Sequence, residues 1–415
     1  MLEKINSVLC GAILPITLLA FGIYFLIKLK GFFILHPIKT FKDVFSGKDG
    51  AVSLCVALSG TLGVGNIVGV ASAIIAGGAG AVFWMIMSAF VAMGLKYAEV
   101  SLAMKYRRST EDGYIGGTPY YINDGLRERF GVNGRGCGVI FALLCIINSL
   151  STGNLVQINA VSSSLPLEKF IFCFIFALCV LIVIIGGGKR IRGTCTVLIP
   201  ILTFLYIFVS LYIIISNYRH IPAAFIIIFK EAFSFRSAVS GFCGYGIASA
   251  MRYGISRGLL SNEAGCGTSP CAHAESQNNA HSQGCFGILE VFIDTTVLCT
   301  LTALVIILSG AVADDAMKTV VLSFSTFLGK FGEYFIILSC LFFAFATVIC
   351  QYYYAEKSLN FITNRRSAKI IFSVFFILIC ALCAFIPMDT VWQISDLVIA
   401  IMAIVNILFL FTLYK

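Results

Sequence analysis

Apolar segments of roughly 18 to 25 residues recur from one end of the chain to the other, separated by shorter polar stretches. Each is long enough to cross the hydrocarbon core of a bilayer, which is about 30 Å thick, as a helix. The pattern predicts eleven spans, near residues 8–28, 51–76, 81–104, 138–162, 170–187, 195–216, 237–257, 285–310, 331–360, 370–387 and 391–413. We therefore expect an all-α polytopic membrane protein.

The second span is interrupted by small and polar residues at its centre. These are Gly60, Thr61, Gly63, Gly65, Asn66 and Gly69. Each interior glycine weakens a helix by about 1 kcal/mol relative to alanine, so this span is predicted to unwind. Unwound backbone is tolerated in a membrane only where it is buried in protein or lines a cavity. The alternative is close packing of an unbroken helix through its small residues.

A second cluster of glycines lies in the seventh span, in the run from Ser240 to Ile247, and contains Gly241, Gly244 and Gly246. Without the first span, the remaining ten divide into two sets of five, and each set opens with an interrupted span. Interrupted helices at matching positions of inverted halves mark the central site of many transporters. We therefore expect an extra helix and basic loop over residues 1–50, a first repeat over 51–216 and a second over 217–415.

Composition agrees with a membrane protein: 59% of the residues are hydrophobic, 12% are charged and the mean hydropathy is +0.96. The basic residues are unequally shared between alternate loops. One side is predicted to carry Lys28, Lys30, Lys39, Lys42, Lys48, Lys105, Arg107, Arg108, Arg127, Arg129, Arg135, Lys189, Arg190, Arg192, Arg252, Arg257, Lys357, Arg365, Arg366, Lys369 and Lys415. The other is predicted to carry Lys4, Lys169, Arg219, Lys230, Arg236, Lys318 and Lys330.

This bias of roughly three to one predicts, by the positive-inside rule, a cytoplasmic carboxyl terminus and an external amino terminus. The net charge of +9 is then explained by this bias and by attraction to anionic lipid, and it carries no implication of nucleic-acid binding.

Polar side chains inside the spans are the candidates for binding. Asn66 is suited to a cation or a carboxylate, or else caps the unwound helix. Thr61 and the carbonyl groups near Gly63 and Val64 could ligate sodium, although Thr61 could instead bond to its own helix. Asn154 and Gln157 are three residues apart and are predicted to share a helix face, with Gln157 contacting substrate. Hydrogen bonding between helices is the alternative for this pair.

Charged residues inside the spans are costly unless they have partners. Asp294 could favour sodium, or it could pair with Lys96 or an arginine. Lys96 and Glu99 are themselves expected to form a structural pair. His273 and His281 lie in a polar loop and are expected to be solvated. We also expect one network of gating residues at the cytoplasmic exit, formed by Arg252, Arg257 and Glu263.

The segment after the second interruption carries a dense motif, R-Y-G-I-S-R-G-L-L-S-N-E-A-G-C-G, from Arg252 to Gly267. It resembles the signature of the alanine/glycine:cation symporter family, R-x-G-x-x-R-G-x-x-S-N-E-A-G-x-G. Further blocks that match the family are G-T-L-G-V-G-N-I-V-G-V-A from Gly60, K-Y-A-E-V-S-L-A-M-K-Y-R from Lys96, G-N-L-V-Q from Gly153 and F-I-D-T from Phe292. Together the blocks extend over nearly the whole chain.

The resemblance implies a leucine-transporter-like fold and sodium-coupled uptake of alanine, glycine or a similar amino acid across a prokaryotic plasma membrane. A small substrate would lie against the glycines of the two breaks, Gly63, Gly65, Gly244 and Gly246. The family's usual Phe-Ser-Thr is here Phe345-Ala346-Thr347, so only the Thr347 hydroxyl remains for the sodium site that the resemblance implies. No cofactor other than the coupling ion is expected, and the protein is expected to be a monomer or a weak oligomer.

The sequence also bears on two other classes of function, an enzyme and a passive channel. An enzyme is not expected, because the chain has no H-E-x-x-H motif and its G-x-S-x-G, Gly254 to Gly258, follows a membrane helix instead of a strand. A passive channel would use repeated pore rings instead of paired broken helices. Proton coupling, with Asp294 as the carrier, is the alternative to sodium coupling within the same fold.

Overall fold

The computed structural model describes residues 2–45, 50–111, 113–162, 164–165, 168–234 and 246–414. The chain is almost entirely helical. Its helices are α1 Lys4–Lys28, α2 Phe32–Leu35, α3 Pro37–Phe45, α4 Gly50–Thr61, α5 Val68–Gly77, α6 Gly80–Lys105, α7 Thr118–Phe130, α8 Arg135–Ser162, α9 Lys169–Ile185, α10 Gly187–Ser216, α11 Ile221–Ala232, α12 Ile247–Asn262, α13 Pro270–His273, α14 Ala280–Ser309, α15 Ala316–Leu328, α16 Lys330–Ile362, α17 Arg366–Leu382 and α18 Met388–Leu413. A short hairpin pairs β1 Arg108–Thr110 with β2 Gly113–Ile115.

Seven of the described helices are long and apolar enough to cross a membrane, and the bent pair α4 and α5 raises this to eight if it is one span. The helices agree with the predicted apolar segments, usually to within a few residues. The largest difference among the long spans is α10, which begins at Gly187 and includes the basic residues before the predicted start at 195. The all-helical membrane class is confirmed, and the count of eleven spans stays a prediction.

The predicted interruption of the second span is present. Between α4 and α5 the chain bends by 67°. Gly63 is extended, with φ −132° and ψ −156°, and Val64–Asn66 forms one 3₁₀ turn before α5 begins. The backbone is fully buried here, so its freed polar groups have to be satisfied by other parts of the protein.

Helix α12 packs along α6, and the two run in the same direction. Gly254 lies against Ala81, and Gly258 lies further along against Met85 and Ser88. A Cβ atom at Gly254 would lie 2.3 Å from the carbonyl oxygen of Ala81, so the absence of a side chain permits this close approach.

A second unwound segment follows α12. The backbone leaves the helix at Glu263, which has φ 47°, and it has positive φ again at Gly265 and Gly267. The sequence predicted the interruption earlier, between Ser240 and Ile247, and most of that run lies outside the described residues. The unwound segment that the structure describes, 263–269, begins within the S-N-E-A-G-C-G motif and ends two residues after it.

Three long helices contain a π-helical turn, at Leu9–Ile13 in α1, at Ser151–Val156 in α8 and at Phe292–Cys299 in α14. Such wider turns are rare and are frequently found at functional sites. The turn in α8 lies next to Gln157 and the turn in α14 contains Asp294, so these two change the directions of candidate site residues.

Candidate functional site

The unwound backbone between α4 and α5 is held by one of its own side chains and by side chains from two other parts of the chain. The Gly63 amide donates to the side-chain oxygen of Asn66 at 3.1 Å, and the Val64 amide donates to Gln157 Oε1 at 3.0 Å. The Leu62 carbonyl accepts from the Thr347 hydroxyl at 3.1 Å. Side chains thus replace the hydrogen bonds that the helix loses at its break.

Asp294 lies directly beside this break and is completely buried. Its carboxylate accepts hydrogen bonds from Asn66 Nδ2 at 2.8 Å, from Ser261 Oγ at 2.8 Å and from Thr295 Oγ1 at 2.7 Å. All three donors are neutral, and no lysine or arginine within the described ranges pairs with this carboxylate. A buried carboxylate with only neutral donors is the kind of group that holds a cation or a proton.

Gln351, on α16, connects the last turn of α4 with the second unwound segment. Its Nε2 donates to the Gly60 carbonyl at 3.3 Å and to Glu263 Oε1 at 3.0 Å. Ser261, at the end of α12, lies against Gly65, with 3.5 Å between its Cα and a Cβ built on the glycine. The two breaks therefore meet at the centre of the bundle, and Asp294 lies at the point where they meet.

The second unwound segment is held in a similar way. The Gly267 amide donates to Glu99 Oε1 at 2.9 Å, and the Gly265 carbonyl accepts from Asn406 Nδ2 at 2.9 Å. The other carboxylate oxygen of Glu263 accepts from Thr268 at 2.5 Å. Glu99 thus accepts a hydrogen bond from the backbone of this segment and does not form an ion pair with Lys96.

The expected pairing of Lys96 with Glu99 is wrong. Lys96 Nζ lies 3.2 Å from Glu290 Oε1 on α14, and both side chains are fully buried. Glu290 also contacts His273 Nε2 at 3.0 Å, so His273 is a buried member of this network and is not solvated. A spacing of three residues along one helix does not determine the ion-pair partner of Lys96, because an oppositely charged group on a neighbouring helix lies closer.

Asn154 and Gln157 do not share a face. Gln157 contacts Val64 at the break, whereas Asn154 Nδ2 donates to the Phe376 carbonyl on α17 at 3.2 Å. The π turn over Ser151–Val156 explains the difference, because its i to i+5 hydrogen bonds change the angle between residues three apart. Of the two amides, only Gln157 is brought to the junction.

The residues predicted to hold sodium are distributed around the break. Thr347 contacts the Leu62 carbonyl, and Ala346 beside it is fully buried. The Thr61 hydroxyl bonds to its own helix, 3.4 Å from the carbonyls of Ala57 and Leu58, as the alternative interpretation expected. Val64 contributes its amide to Gln157 and its carbonyl to Ile67.

Gly244 lies outside the described residues. Gly246 is described and caps the start of α12. Fourteen helical positions separate Ile247 from Ser261, or about 21 Å at 1.5 Å per residue. The structure therefore does not bring Gly246 to the junction.

The predicted network of Arg252, Arg257 and Glu263 is not formed. Arg257 pairs with Asp396 at 2.9 Å and lies over the Trp392 ring at 4.8 Å, whereas Glu263 bonds to Gln351.

Arg252 lies against Gly11 of α1, at the end of the bundle where α6 begins. In the predicted orientation that end is external, so placing these arginines on the cytoplasmic side is wrong. The bias of basic residues falls to roughly two to one and keeps its direction.

Sequence reasoning did not single out several residues of the junction. These are Ser261, Thr295, Gln351 and Leu62. A hydroxyl or amide inside a span was the available signal, but such residues are common in helical bundles. Leu62 contributes only its backbone carbonyl, which no side-chain pattern can indicate.

Two unwound helix segments that meet in the middle of a helical membrane bundle, around a buried carboxylate, define a secondary transporter of the leucine-transporter-like class. The comparison with known families gives the particular group. The chain belongs to the sodium:alanine symporter family, whose model matches residues 1–415.

Relatives of this chain carry names of related transport activities. It is 36% identical to an uncharacterized transporter of Bacillus subtilis, YflA, over 100% of this chain and 91% of the relative. It is 33% identical to the sodium/alanine symporter AgcS of Methanococcus maripaludis, with 98% of this chain and 93% of the relative covered. The probable sodium/glutamine symporter GlnT of Bacillus subtilis is also 33% identical, with 99% and 87% covered.

Solved structures show the same fold at low identity. A manganese transporter of Eremococcus coleocola has a TM-score of 0.56 at 14% identity and covers 87% of this chain and 75% of its own. MhsT in complex with L-phenylalanine has a TM-score of 0.53 at 11% identity, covering 86% and 87%. At these identities the comparison concerns the fold alone.

Proposed function

We propose that this protein is a secondary active symporter that couples sodium entry to the uptake of a small neutral amino acid by alternating access. Membership of the sodium:alanine symporter family supports cation-coupled amino-acid symport. The observation that carries the finer proposal is the buried Asp294 carboxylate. It accepts hydrogen bonds from Asn66 in the first unwound segment and from Ser261 at the end of α12, next to the second, and it has only neutral donors.

The substrate proposed is alanine or glycine. Space beside the first break is narrow, because a Cβ atom at Gly63 would lie 2.5 Å from Gln157 Oε1 and 2.8 Å from Thr347 Oγ1. The Val64 amide, now bonded to Gln157, is a donor suited to a substrate carboxylate. On substrate binding, the carboxylate would take this amide and the Gln157 amide group would turn to donate to it.

Sodium is proposed to bind among oxygen atoms at the same break. The first candidate set is the Asp294 carboxylate with the side-chain oxygens of Asn66 and Ser261. The second is the Leu62 carbonyl with Thr347, supplemented by Thr61 and the Val64 carbonyl. Carboxylate, hydroxyl and carbonyl oxygens are the ligands of hard cations.

The proposed topology has eleven spans, with one extra helix before two inverted repeats of five, and an external amino terminus. The ion pair of Arg257 and Asp396, next to the Trp392 ring, then lies at the external side of the junction. We propose it as an outer gate, in place of the cytoplasmic gate expected from the sequence. Glu263, held by Gln351, belongs to the junction itself.

Proton coupling is the second candidate, and a specific observation favours it. Asp294 has no cationic partner in the described part of the chain, so a proton could replace sodium as its counter-charge. In that case the site would be loaded from the side of lower pH, and sodium would be dispensable.

The deciding experiment is uptake of labelled alanine into proteoliposomes. We expect uptake under an inward sodium gradient at equal pH on both sides, and none under a proton gradient in sodium-free buffer. The reverse result would reject sodium coupling and leave amino-acid symport intact. A panel with glycine, glutamine and a non-amino-acid solute tests the substrate separately, and counterflow of labelled substrate distinguishes a transporter from a channel.

A further inference from the structure

We infer that Asp43, His281 and Cys285 form a binding site for a divalent metal of the zinc type, between α3 and the start of α14. The three residues lie away from the central junction and have no role in the proposed transport mechanism. The inference therefore does not depend on the proposed function.

The ligand atoms already converge. His281 Nε2 lies 3.4 Å from Asp43 Oδ2 and 3.9 Å from Cys285 Sγ, and all three atoms lie within 4.8 Å of one another. Around a tetrahedral zinc ion, bond lengths of 2.0 to 2.3 Å place a nitrogen about 3.3 Å from an oxygen and about 3.6 Å from a sulfur. The two distances from His281 Nε2 are thus close to the distances expected between zinc ligands. A small movement of Asp43 toward Cys285 would bring the third pair of ligand atoms to a similar distance.

The local structure explains why the ligands meet. His281 and Cys285 are four residues apart on α14, so they share one face of the helix. Asp43 comes from α3, and its carbonyl accepts a hydrogen bond from Ser282 Oγ at 2.9 Å. This bond holds the third ligand against the same turn of α14 even without a metal.

The imidazole is also oriented in a way typical of metal ligands. His281 Nδ1 lies 2.8 Å from the Tyr97 hydroxyl on α6, which leaves Nε2 facing Asp43 and Cys285. A metal-binding histidine usually donates its other ring nitrogen to an oxygen, and this bond fixes its tautomer and raises its basicity. Tyr97 supplies that oxygen here.

The donor set selects the class of metal. One thiolate, one imidazole and one carboxylate suit zinc and its neighbours, whereas calcium and magnesium require oxygen ligands. The side chain of Cys285 is buried, but that of His281 is 53% exposed, so an ion can enter and water can occupy the fourth position. The thiol gives up its proton when the metal binds.

Binding is tested on the purified full-length protein after removal of metals with a chelator. We expect one zinc ion per chain by competition with a chromophoric chelator, and Co²⁺ to produce the near-ultraviolet absorption of a thiolate complex. His281→Ala and Cys285→Ser should each weaken zinc binding at least tenfold and abolish that absorption. His220→Ala and Cys137→Ser are matched controls, because both residues lie elsewhere, and they should change neither.

A thermal shift gives an independent measurement. Zinc should raise the unfolding temperature of the wild type and of both controls, because a ligand that binds only the folded state stabilises it by mass action. Magnesium at the same concentration should not. Equal zinc affinity and equal thermal shifts in the wild type and in His281→Ala would overturn the inference, as would zinc binding lost equally in Cys137→Ser.

Discussion

Individual side chains replace the hydrogen bonds that the broken helix lacks. Gln157, Asn66 and Thr347 each bind a backbone group of the unwound turn. In the proposed mechanism, a side chain that bonds to the turn in this way exchanges partners when substrate or ion binds. Substitutions at these positions are therefore expected to change binding more than folding.

Gln157→Ala should raise the half-saturation concentration for alanine by about tenfold or more, because a hydrogen bond to a charged group contributes about 1.5–3 kcal/mol. The amount of protein in the membrane should be unchanged. Asn159→Ala is the control, since that amide bonds to the Ile386 carbonyl away from the junction. Equal half-saturation in wild type and Gln157→Ala would assign Gln157 to packing alone.

Ala346→Ser should improve the sodium affinity of uptake, and Thr347→Ala should abolish sodium-dependent uptake. A cation needs oxygens in place of its lost hydration, and one oxygen is added in the first variant and removed in the second. The measurement is uptake as a function of sodium concentration. Thr326→Ala, whose hydroxyl bonds only to its own helix among the described contacts, is the control. Full sodium-dependent activity in Thr347→Ala would contradict this assignment.

At the scale of the elements, close helix packing holds the second unwound segment beside the first. α12 approaches α6 at Gly254 and Gly258, and this contact fixes the depth at which Ser261 meets Gly65. The ion pair between Lys96 and Glu290 connects α6 to α14 further along α6 than these two contacts. The site depends on these contacts even though neither glycine touches substrate or ion in the proposed mechanism.

Gly254→Ala should lower the unfolding temperature in detergent, because the added methyl group would meet the Ala81 carbonyl at 2.3 Å. Overpacking of this kind costs about 1–3 kcal/mol. Gly193→Ala, on the exposed side of α10 with nothing within 4 Å of the new atom, should keep or raise that temperature. Equal behaviour of the two variants would show that α12 can shift away from α6 without loss.

At the scale of the whole molecule, the two breaks meet only when α4, α5, α12, α14 and α16 are assembled. Ligands that bind across this junction connect all of these helices and should therefore stabilise the complete fold. The hydrogen bonds of Asp294 with Asn66 and Ser261 also connect these helices.

Alanine or glycine, with sodium present, should raise the unfolding temperature of the purified protein by mass action. At one hundred times the dissociation constant the stabilisation is about 2.7 kcal/mol. Replacing sodium by potassium should reduce the shift if ion and substrate bind together. No shift with either amino acid, together with a clear shift for a solute of another class, would contradict the proposed substrate.

Much of the architecture follows from the sequence alone. Long apolar segments have no stable alternative to helices in a bilayer, so hydropathy predicts the helices and most of their ends. Gly63 and Gly65 between polar neighbours likewise predict the first break, because the cost of glycine in a helix is a local property. The motif from Arg252 to Gly267 indicates the family, since it consists of consecutive residues.

The contacts between side chains from different helices follow from the tertiary structure and not from the sequence. Asp294 was recognisable as an unusual carboxylate, but Asn66 and Ser261 reach it from distant parts of the chain. Lys96 was assigned to Glu99 by helical spacing, yet Glu290 lies closer across the bundle. The second unwound segment begins at Glu263, and a π turn separates the faces of Asn154 and Gln157. Spacing along the chain describes one helix at a time, whereas each of these contacts depends on how neighbouring helices are rotated and positioned against one another.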